Sequence, residues 1–193
     1  METNPHHLVM GELTDFLTGQ TLADTHDERF RQKIARHLVE GCGYEKDQIE
    51  SGRKIIIHAG AKTGLLKMDF LVRVGEKTAM MIRYAPGSLV TRRLPNLALS
   101  RIVFPYQIPV VVTCNGEDAE VINGVTGKVI GQGFDAIPDK TAMTAQILPS
   151  ASFPEISETL RDKASRIAYA CEVDGACPCD TDICALAGSV LDR

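Results

Sequence analysis

The chain has 193 residues, of which 44% are hydrophobic, and it carries a formal net charge of −4 at pH 7. This length and apolar content allow a packed domain with an appendage and exclude a chain that is disordered throughout. The net acidity argues against a generally basic nucleic-acid binder. No apolar run reaches the roughly 18 residues of a membrane span, and the first residues lack the charged and apolar regions of a signal peptide. We therefore expect a cytoplasmic protein that makes no membrane contact.

The N-terminal part of the chain predicts an arm followed by a helix. Residues 1–24 show no sustained periodicity, and we interpret them as an arm with one short helix near residues 13–17. The stretch DTHDERFRQKIARHLVEGCGY then predicts a helix, because acids fill its first turn and glycines end it. Most of its cations, Arg31 among them, are expected on the outward face. Its apolar residues recur every four positions: Phe30, Ile34 and Leu38.

The middle of the chain predicts a mixed sheet. RKIIIHAG is a short β run, and LLKMDFLVRV and TAMMIRYA, joined by GEK, predict an antiparallel hairpin. RRLPNLALSRIVF predicts a helix, and the apolar run in IPVVVTCNG predicts a strand buried on both faces. DAEVIN and GKVIGQG predict a terminal hairpin. The strand–helix–strand order implies a crossover connection, so the expected fold is α/β with a mixed sheet flanked by helices.

The C-terminal part of the chain predicts a linker, a helix and a cysteine-rich tail. Residues 139–153 are polar and punctuated by prolines, as is typical of linkers, and residues 154–193 contain the amphipathic stretch PEISETLRDKASRIAYAC. The tail, CEVDGACPCDTDIC, holds four thiols, a complete ligand set for tetrahedral Zn²⁺ or a [4Fe–4S] cluster. Free thiols or a redox pair are the alternative. The candidate ligands are Cys171, Cys177, Cys179 and Cys184.

The order and the amino-acid sequences of these segments resemble those of a known family. HDERFRQKIARHLVEGCGYEKDQIE, KMDFLVRVGEKTAMMIRYAPG and PVVVTCNGEDAEVINGVTGKVI together resemble the N-terminal domain of type I restriction enzyme R subunits. The resemblance covers about residues 25–135, and we place the corresponding domain at residues 25–138. It implies the restriction-endonuclease-like fold of the PD-(D/E)XK nucleases.

The same resemblance implies a catalytic Asp on one strand and a Glu-x-Lys motif on the next. Asp69 matches the Asp, but Ile82 stands in the Glu position and Tyr84 in the Lys position. Glu28 falls where some relatives place an additional acid. An isoleucine cannot ligate Mg²⁺, and a phenol with a pKa of about 10 is a poor base at neutral pH. We expect cleavage to be lost or weakened.

Two alternatives remain open for the acidic residues. Asp69 and Glu28 together could still hold Mg²⁺ in an active endonuclease, which would be the only role for that ion. Asp69 could also be a structural acid, bonded to the backbone or to an arginine. A carboxylate cannot have moved to the third strand or the second helix, because no Asp or Glu lies between Lys77 and Gly116.

The same acid-free window predicts a nucleic-acid contact. It holds several cations, and a helix N-terminus with hydroxyl groups and arginines is suited to phosphate. Arg83 is one residue out of the lysine register and is expected on the other face of its strand. The plainer interpretation is a helix start that is basic and solvated. The candidate nucleic-acid-binding residues are Arg83, Ser88, Thr91, Arg92, Arg93 and Arg101.

Three functions therefore follow from the sequence. The leading hypothesis is a nuclease-fold protein that binds nucleic acid, DNA above all, with lost or weakened phosphodiester cleavage. The second is an active Mg²⁺-dependent endonuclease, and the third is a protein-interaction or metal- or redox-sensing module that uses the cysteine tail. A homo-oligomer or an accessory role to another protein fits any of the three.

Overall fold

The computed structural model describes residues 8–175 and the backbone of residues 184–186. In this part of the chain the α-helices are α1 His26–Arg36, α2 Leu89–Leu99, α3 Lys140–Ala142 and α4 Glu158–Ala168. The strands are β1 Glu12–Thr14, β2 Thr21–Ala23, β3 Ile49–Ser51, β4 Lys54–Ala59, β5 Lys62–Lys67, β6 Phe70–Val74, β7 Lys77–Tyr84, β8 Val110–Cys114, β9 Ala119–Asn123, β10 Val129–Gln132 and β11 Cys184–Leu186. Single π-helical turns continue three helices: His37–Gly41, Met143–Ile147 and Tyr169–Val173. None of the described helices is long and apolar enough to cross a membrane.

The central sheet has six strands in the order β10-β9-β8-β7-β6-β3. β7 and β8 run parallel, and α2 makes the crossover between them, as the strand–helix–strand pattern predicts. The other neighbours are antiparallel, which confirms the predicted hairpins β6–β7 and β9–β10. All five residues of β8 are buried, as its apolar run predicts. The chain is a mixed α/β protein with its sheet flanked by helices, including one near the C-terminus.

The strand predicted from LLKMDFLVRV is divided in the structure. Its first half, β5, pairs with β4 and β11 in a separate three-stranded sheet, and its second half, β6, enters the central sheet. Between them the Met68 N–H donates to Arg53 O, and the Gly52 N–H donates to Asp69 O. The single-strand prediction is wrong because one apolar run serves two sheets. This change of sheet places Asp69 directly before β6.

The N-terminal arm contains a β-hairpin where the sequence predicts a short helix. β1 and β2 pair in antiparallel fashion on either side of residues 15–20. Asp15 accepts hydrogen bonds from the Leu17 N–H and the Thr18 hydroxyl, and Gly19 has a φ of 74°. The helix prediction is wrong because these side-chain bonds and the left-handed glycine stabilise a turn.

Both faces of the central sheet are covered by apolar cores. The core on the α1 side contains Ile34 of that helix and Leu38 of the π-helical turn after it, together with Ile82 and Tyr84 of β7. The other core joins Met81 of β7 to residues of α2 and α4. Side chains of β7 therefore alternate between the two cores, as the pleat of a strand requires.

The segment after the last strand of the central sheet packs against the domain. The sequence predicts a linker over residues 139–153, and the structure has helical turns from Lys140 to Ile147. Asp139 caps them by accepting a 2.6 Å hydrogen bond from the Ala142 N–H. Met143 is fully buried in the core on the α1 side, so this segment adds to that core.

Candidate functional site

The candidate site lies at the carboxyl ends of the parallel strands β7 and β8. In α/β sheets ligands bind where parallel strands end, because loops and helix N-termini converge there. Here the first turn of α1, the residue before β6 and the loop that leads into α2 meet. The π-helical turn Tyr169–Val173 reaches the same place from the other face of the sheet, through Glu172. The predicted acids and most of the predicted cations lie around this point.

Asp69 is buried and its carboxylate is fully engaged. Its Oδ1 accepts a 2.7 Å hydrogen bond from Arg31 Nε. Its Oδ2 accepts a 3.0 Å bond from the Tyr84 backbone N–H and lies 3.3 Å from Arg83 Nη1. The structure thus matches the structural interpretation of Asp69, in which the backbone and arginines satisfy the acid.

Glu28 faces the same guanidinium group from the first turn of α1. One of its oxygens accepts a 2.8 Å hydrogen bond from Gln32 Nε2, and the other lies 3.6 Å from Arg31 Nη1. Arg31 therefore stands between Glu28 and Asp69. Burial acts to lower the pKa of Arg31, but the charge and hydrogen bond of Asp69, with the nearby acids of α1, outweigh it and raise the pKa above its usual value. The guanidinium stays charged at every accessible pH.

The two residues in the Glu-x-Lys positions form part of the core. Ile82 is fully buried. The Tyr84 hydroxyl donates a 3.0 Å hydrogen bond to Asp27 Oδ1, and its ring stacks on Phe30 at 5.7 Å between centroids. Burial first, and then the charge and hydrogen bond of Asp27, raise the pKa of Tyr84 above the ordinary phenol value. Tyr84 is therefore protonated at neutral pH and cannot act as a base.

Arg83 points to the opposite face of β7, as its register predicts. Its Nη1 donates to the Lys67 carbonyl oxygen, and its Nη2 donates a 3.0 Å hydrogen bond to Glu172 Oε2. Arg92 of α2 lies 3.6 Å from the other oxygen of Glu172. The charged side chains form one continuous series of alternating sign: Glu28, Arg31, Asp69, Arg83, Glu172 and Arg92.

The remaining candidates for nucleic-acid binding are spread along α2. This helix begins at Leu89, earlier than the sequence indicates, so Arg92 and Arg93 lie in its second turn. Ser88 precedes the helix with no capping bond from its side chain, and the Thr91 hydroxyl donates to the Ser88 carbonyl oxygen at 2.8 Å. These residues lie together at the start of α2. Arg101 lies beyond its last residue, roughly 13 Å along the axis from Arg92.

Acids from distant parts of the chain pair with the cations of the acid-free window. Arg93 donates two hydrogen bonds to Glu120, one of 2.6 Å, and this contact lowers the pKa of Glu120. Arg101 donates to Gln107 at 3.1 Å, and burial lowers its pKa. Arg83, Arg92 and Arg93 thus meet acids in three dimensions, since sequence distance does not limit which acids reach them. Arg92 and Arg93 still keep about a third of each side chain exposed.

Sequence reasoning missed two residues that organise the site. Arg31, expected on the outward face of α1, turns toward Asp69, and the one local signal for this is its spacing of three from Glu28. Glu172 lies in the cysteine-rich stretch, and no local pattern relates it to Arg83. Both residues act through partners far away in the chain.

The residues of the site do not fit the Mg²⁺ ion that the nuclease resemblance implies. Two carboxylates must share such an ion, but the Arg31 guanidinium fills the space between Asp69 and Glu28. Ile82 supplies no ligand. Across the described residues, no three His, Cys, Asp or Glu side chains converge on a metal position. We therefore derive no step through a metal at this site.

The cysteine tail lies largely outside the described residues. Cys171 is exposed in the π-helical turn after α4, and burial together with the charge of Glu172 raises its pKa. Cys177 and Cys179 lie outside the described part, and Cys184 is described by its backbone in β11. A zinc or iron–sulfur site at these cysteines stays a prediction, which metal analysis of the purified chain would test. Cys42 and Cys114 are buried core thiols.

The fold and the site together define a mixed α/β domain with an ionic cluster at the ends of its parallel strands. Residues 26–138 match the model of the family described as type I restriction enzyme R protein N terminus (HSDR_N), and the chain belongs to that family. This confirms the resemblance inferred from the sequence. No curated protein and no solved structure matches the chain.

Proposed function

We propose that this chain is a nucleic-acid-binding domain on a nuclease-like frame, and that it contacts the phosphate backbone of DNA without cleaving it. The observation that carries the proposal is the position of Arg31 between Asp69 and Glu28, with hydrogen-bonding and ion-pair distances of 2.7 and 3.6 Å. A permanent side-chain cation occupies the place that a catalytic divalent ion would need.

The proposed loss of cleavage rests on three residues that lie at one place. Both carboxylate oxygens of Asp69 are bonded to arginines or to a backbone N–H. Ile82 gives apolar packing where a second carboxylate is needed, and Tyr84 gives a protonated phenol where a lysine is needed. Without a metal and a base, no group activates water or neutralises charge on the scissile phosphate. The active-endonuclease alternative, with Asp69 and Glu28 as ligands, is therefore the weaker one.

The binding half of the proposal rests on the start of α2. The N–H groups of the first turn, the Ser88 and Thr91 hydroxyls and the partly exposed Arg92 all belong to this part of the chain. Such a set binds a phosphate group in any base sequence. Membership in a restriction-enzyme family makes DNA the first nucleic acid to test.

Binding and cleavage are tested separately with one labelled DNA duplex. We expect the wild-type chain to bind it by fluorescence anisotropy with an affinity that falls as salt rises. Arg92→Ala should weaken binding about tenfold, the scale of one charge-assisted phosphate contact. Arg166→Ala is the matched control, because Arg166 is an exposed arginine of α4 paired with Asp162. If both variants lost the same amount of affinity, the change in net charge alone would explain the effect.

Cleavage is followed on the same duplex with Mg²⁺ and with Mn²⁺. We expect no products above the background of a buffer control. If cleavage products accumulate with either ion and are absent with Asp69→Ala, the chain is an active nuclease. Absence of any binding at low salt would refute the binding half of the proposal.

A further inference from the structure

Glu172 is a buried acid held by two arginines from two different elements. It is 7% exposed and lies in the π-helical turn that ends the C-terminal helix. Its Oε2 accepts from Arg83 Nη2 at 3.0 Å, and its Oε1 lies 3.6 Å from Arg92 Nη1. Neither arginine belongs to the C-terminal segment, so the segment inserts an anion between groups of the central domain.

The carboxylate leaves part of this arginine pair unsatisfied. Arg83 Nε and Glu172 Oε1 are buried and have no hydrogen-bond partner. Natural structures rarely leave such atoms unpartnered, because each buried orphan costs free energy. A carboxylate has two oxygens in one plane, whereas a phosphate group has a tetrahedral set and matches the forked donors of arginine. The acid thus does not satisfy the arginine pair completely, and a phosphate has further oxygens that such donors can bind.

The position of the pair relates it to the proposed DNA contact. Arg92 stands one residue after Thr91, at the start of α2, and Arg83 is the next-to-last residue of β7. The residues on either side of the buried Glu172 and Val173, which are Cys171 and Asp174, are exposed. Rotation of the Glu172 side chain toward solvent would open the place between the arginines and leave the packed Tyr169 and Val173 where they are.

We propose that Arg83 and Arg92 form a phosphate-binding site that Glu172 occupies within the free chain, so that the C-terminal segment competes with nucleic acid for this site. The proposal deepens the DNA-binding function and rests on it for the identity of the ligand. Its consequence is that the free chain binds DNA more weakly than the arginines alone would allow, since a phosphate must first displace the acid.

Affinity measurements on the full chain test this competition. We expect Glu172→Gln to bind the labelled duplex about tenfold more tightly than wild type, the scale of one charge-assisted hydrogen bond. Asp162→Asn is the matched control, because it removes one acid from the exposed face of the same C-terminal helix. The gain should vanish in Glu172→Gln/Arg92→Ala. Equal gains in Glu172→Gln and Asp162→Asn, or no gain in either, would overturn the proposal.

Inorganic phosphate separates this inference from the proposed function. If no variant binds DNA, the DNA function fails, but Glu172→Gln should still bind inorganic phosphate by calorimetry where wild type binds it far more weakly. If Glu172→Gln binds phosphate no better than wild type, the phosphate site itself is refuted. Should this variant not fold, hydrogen exchange on the wild type gives the answer: phosphate should speed exchange in Tyr169–Val173, and unchanged exchange would overturn the proposal.

Discussion

Arg31 donates a 2.7 Å hydrogen bond to Asp69, the acid that the sequence resemblance predicts to be catalytic. The same guanidinium lies 3.6 Å from Glu28. A cation of the polypeptide itself therefore lies beside both acids. The acids of the site thus serve to hold α1 against the central sheet.

Removal of Arg31 should cost stability. Arg31→Ala leaves the buried Asp69 with one arginine and one backbone N–H, so we expect the free energy of unfolding to fall by about 1–3 kcal/mol. Arg29→Ala is the matched control on the same helix, where an exposed pair with Asp24 should contribute much less. Urea denaturation measures both. Similar small losses would mean that the Arg31 pair is as weak as a surface pair.

The same substitution should create a response to divalent ions. Without the guanidinium, Asp69 and Glu28 face each other with no cation between them, and Mn²⁺ can take its place. We expect Mn²⁺ to raise the Tm of Arg31→Ala and to leave the wild-type Tm unchanged, since a ligand stabilises the state that binds it. Arg31→Ala/Asp69→Asn should lose the response. A Tm increase of equal size in wild type would show that Arg31 does not exclude the ion.

Restoring the missing acid should destabilise the protein. Ile82 is fully buried in the core on the α1 side, so Ile82→Glu should cost roughly 4 kcal/mol or more at neutral pH. Burial would raise the pKa of the new acid in the folded state, so the loss relative to wild type should be smallest at low pH and grow as pH rises. Ile82→Val, as control, should cost about 0.5–1.5 kcal/mol at any pH. A pH-independent loss for Ile82→Glu would contradict a buried position.

Gly116 should be the least replaceable glycine of the site. It has a φ of 90°, and a Cβ there would lie 2.6 Å from the ring of Phe30, which stacks on Tyr84. Gly116→Ala should therefore suffer backbone strain and also displace that ring, with a loss of about 2–4 kcal/mol. Gly87→Ala is the control, because Gly87 has a φ of 93° and open space around its Cβ. Thermal unfolding compares them, and equal losses would place the whole cost in the backbone.

We expect two buried thiols to make the free energy of unfolding fall at alkaline pH. Burial raises the pKa of Cys42 to about 11 and the pKa of Cys114 further, from an ordinary value of 9.0. Because the folded pKa lies above the unfolded one, the contribution of each thiol to stability is complete below pH 9 and lost as pH rises above it. We expect about 1 kcal/mol per thiol between about pH 8 and pH 10.

Substitution of one thiol isolates that contribution. Cys42→Ala should flatten the alkaline part of the curve of unfolding free energy against pH, while its neutral part moves by a constant amount. Cys171→Ala serves as control for an exposed thiol. The same slope in Cys42→Ala and wild type would assign the alkaline loss to other groups, such as the buried tyrosines.

Local sequence pattern was sufficient to predict much of the secondary structure and chain order of this protein. The apolar runs of β7 and β8 predict strands, and the order of strand, helix and strand predicts the crossover through α2. Both predictions succeed because apolar runs and chain connectivity depend on neighbouring residues. The positions of Ile82 and Tyr84, where a nuclease would have its acid and lysine, come instead from the resemblance to the R-subunit family.

The ionic cluster could not be obtained in this way. Arg31 and Asp69 are 38 residues apart, and Arg83 and Glu172 are 89 apart. No propensity or period links such pairs, since the attraction between two charges depends on their distance in space and on how far water is excluded from them. Whether Asp69 holds a metal or an arginine was decided when α1 and the C-terminal helix docked on opposite faces of one sheet.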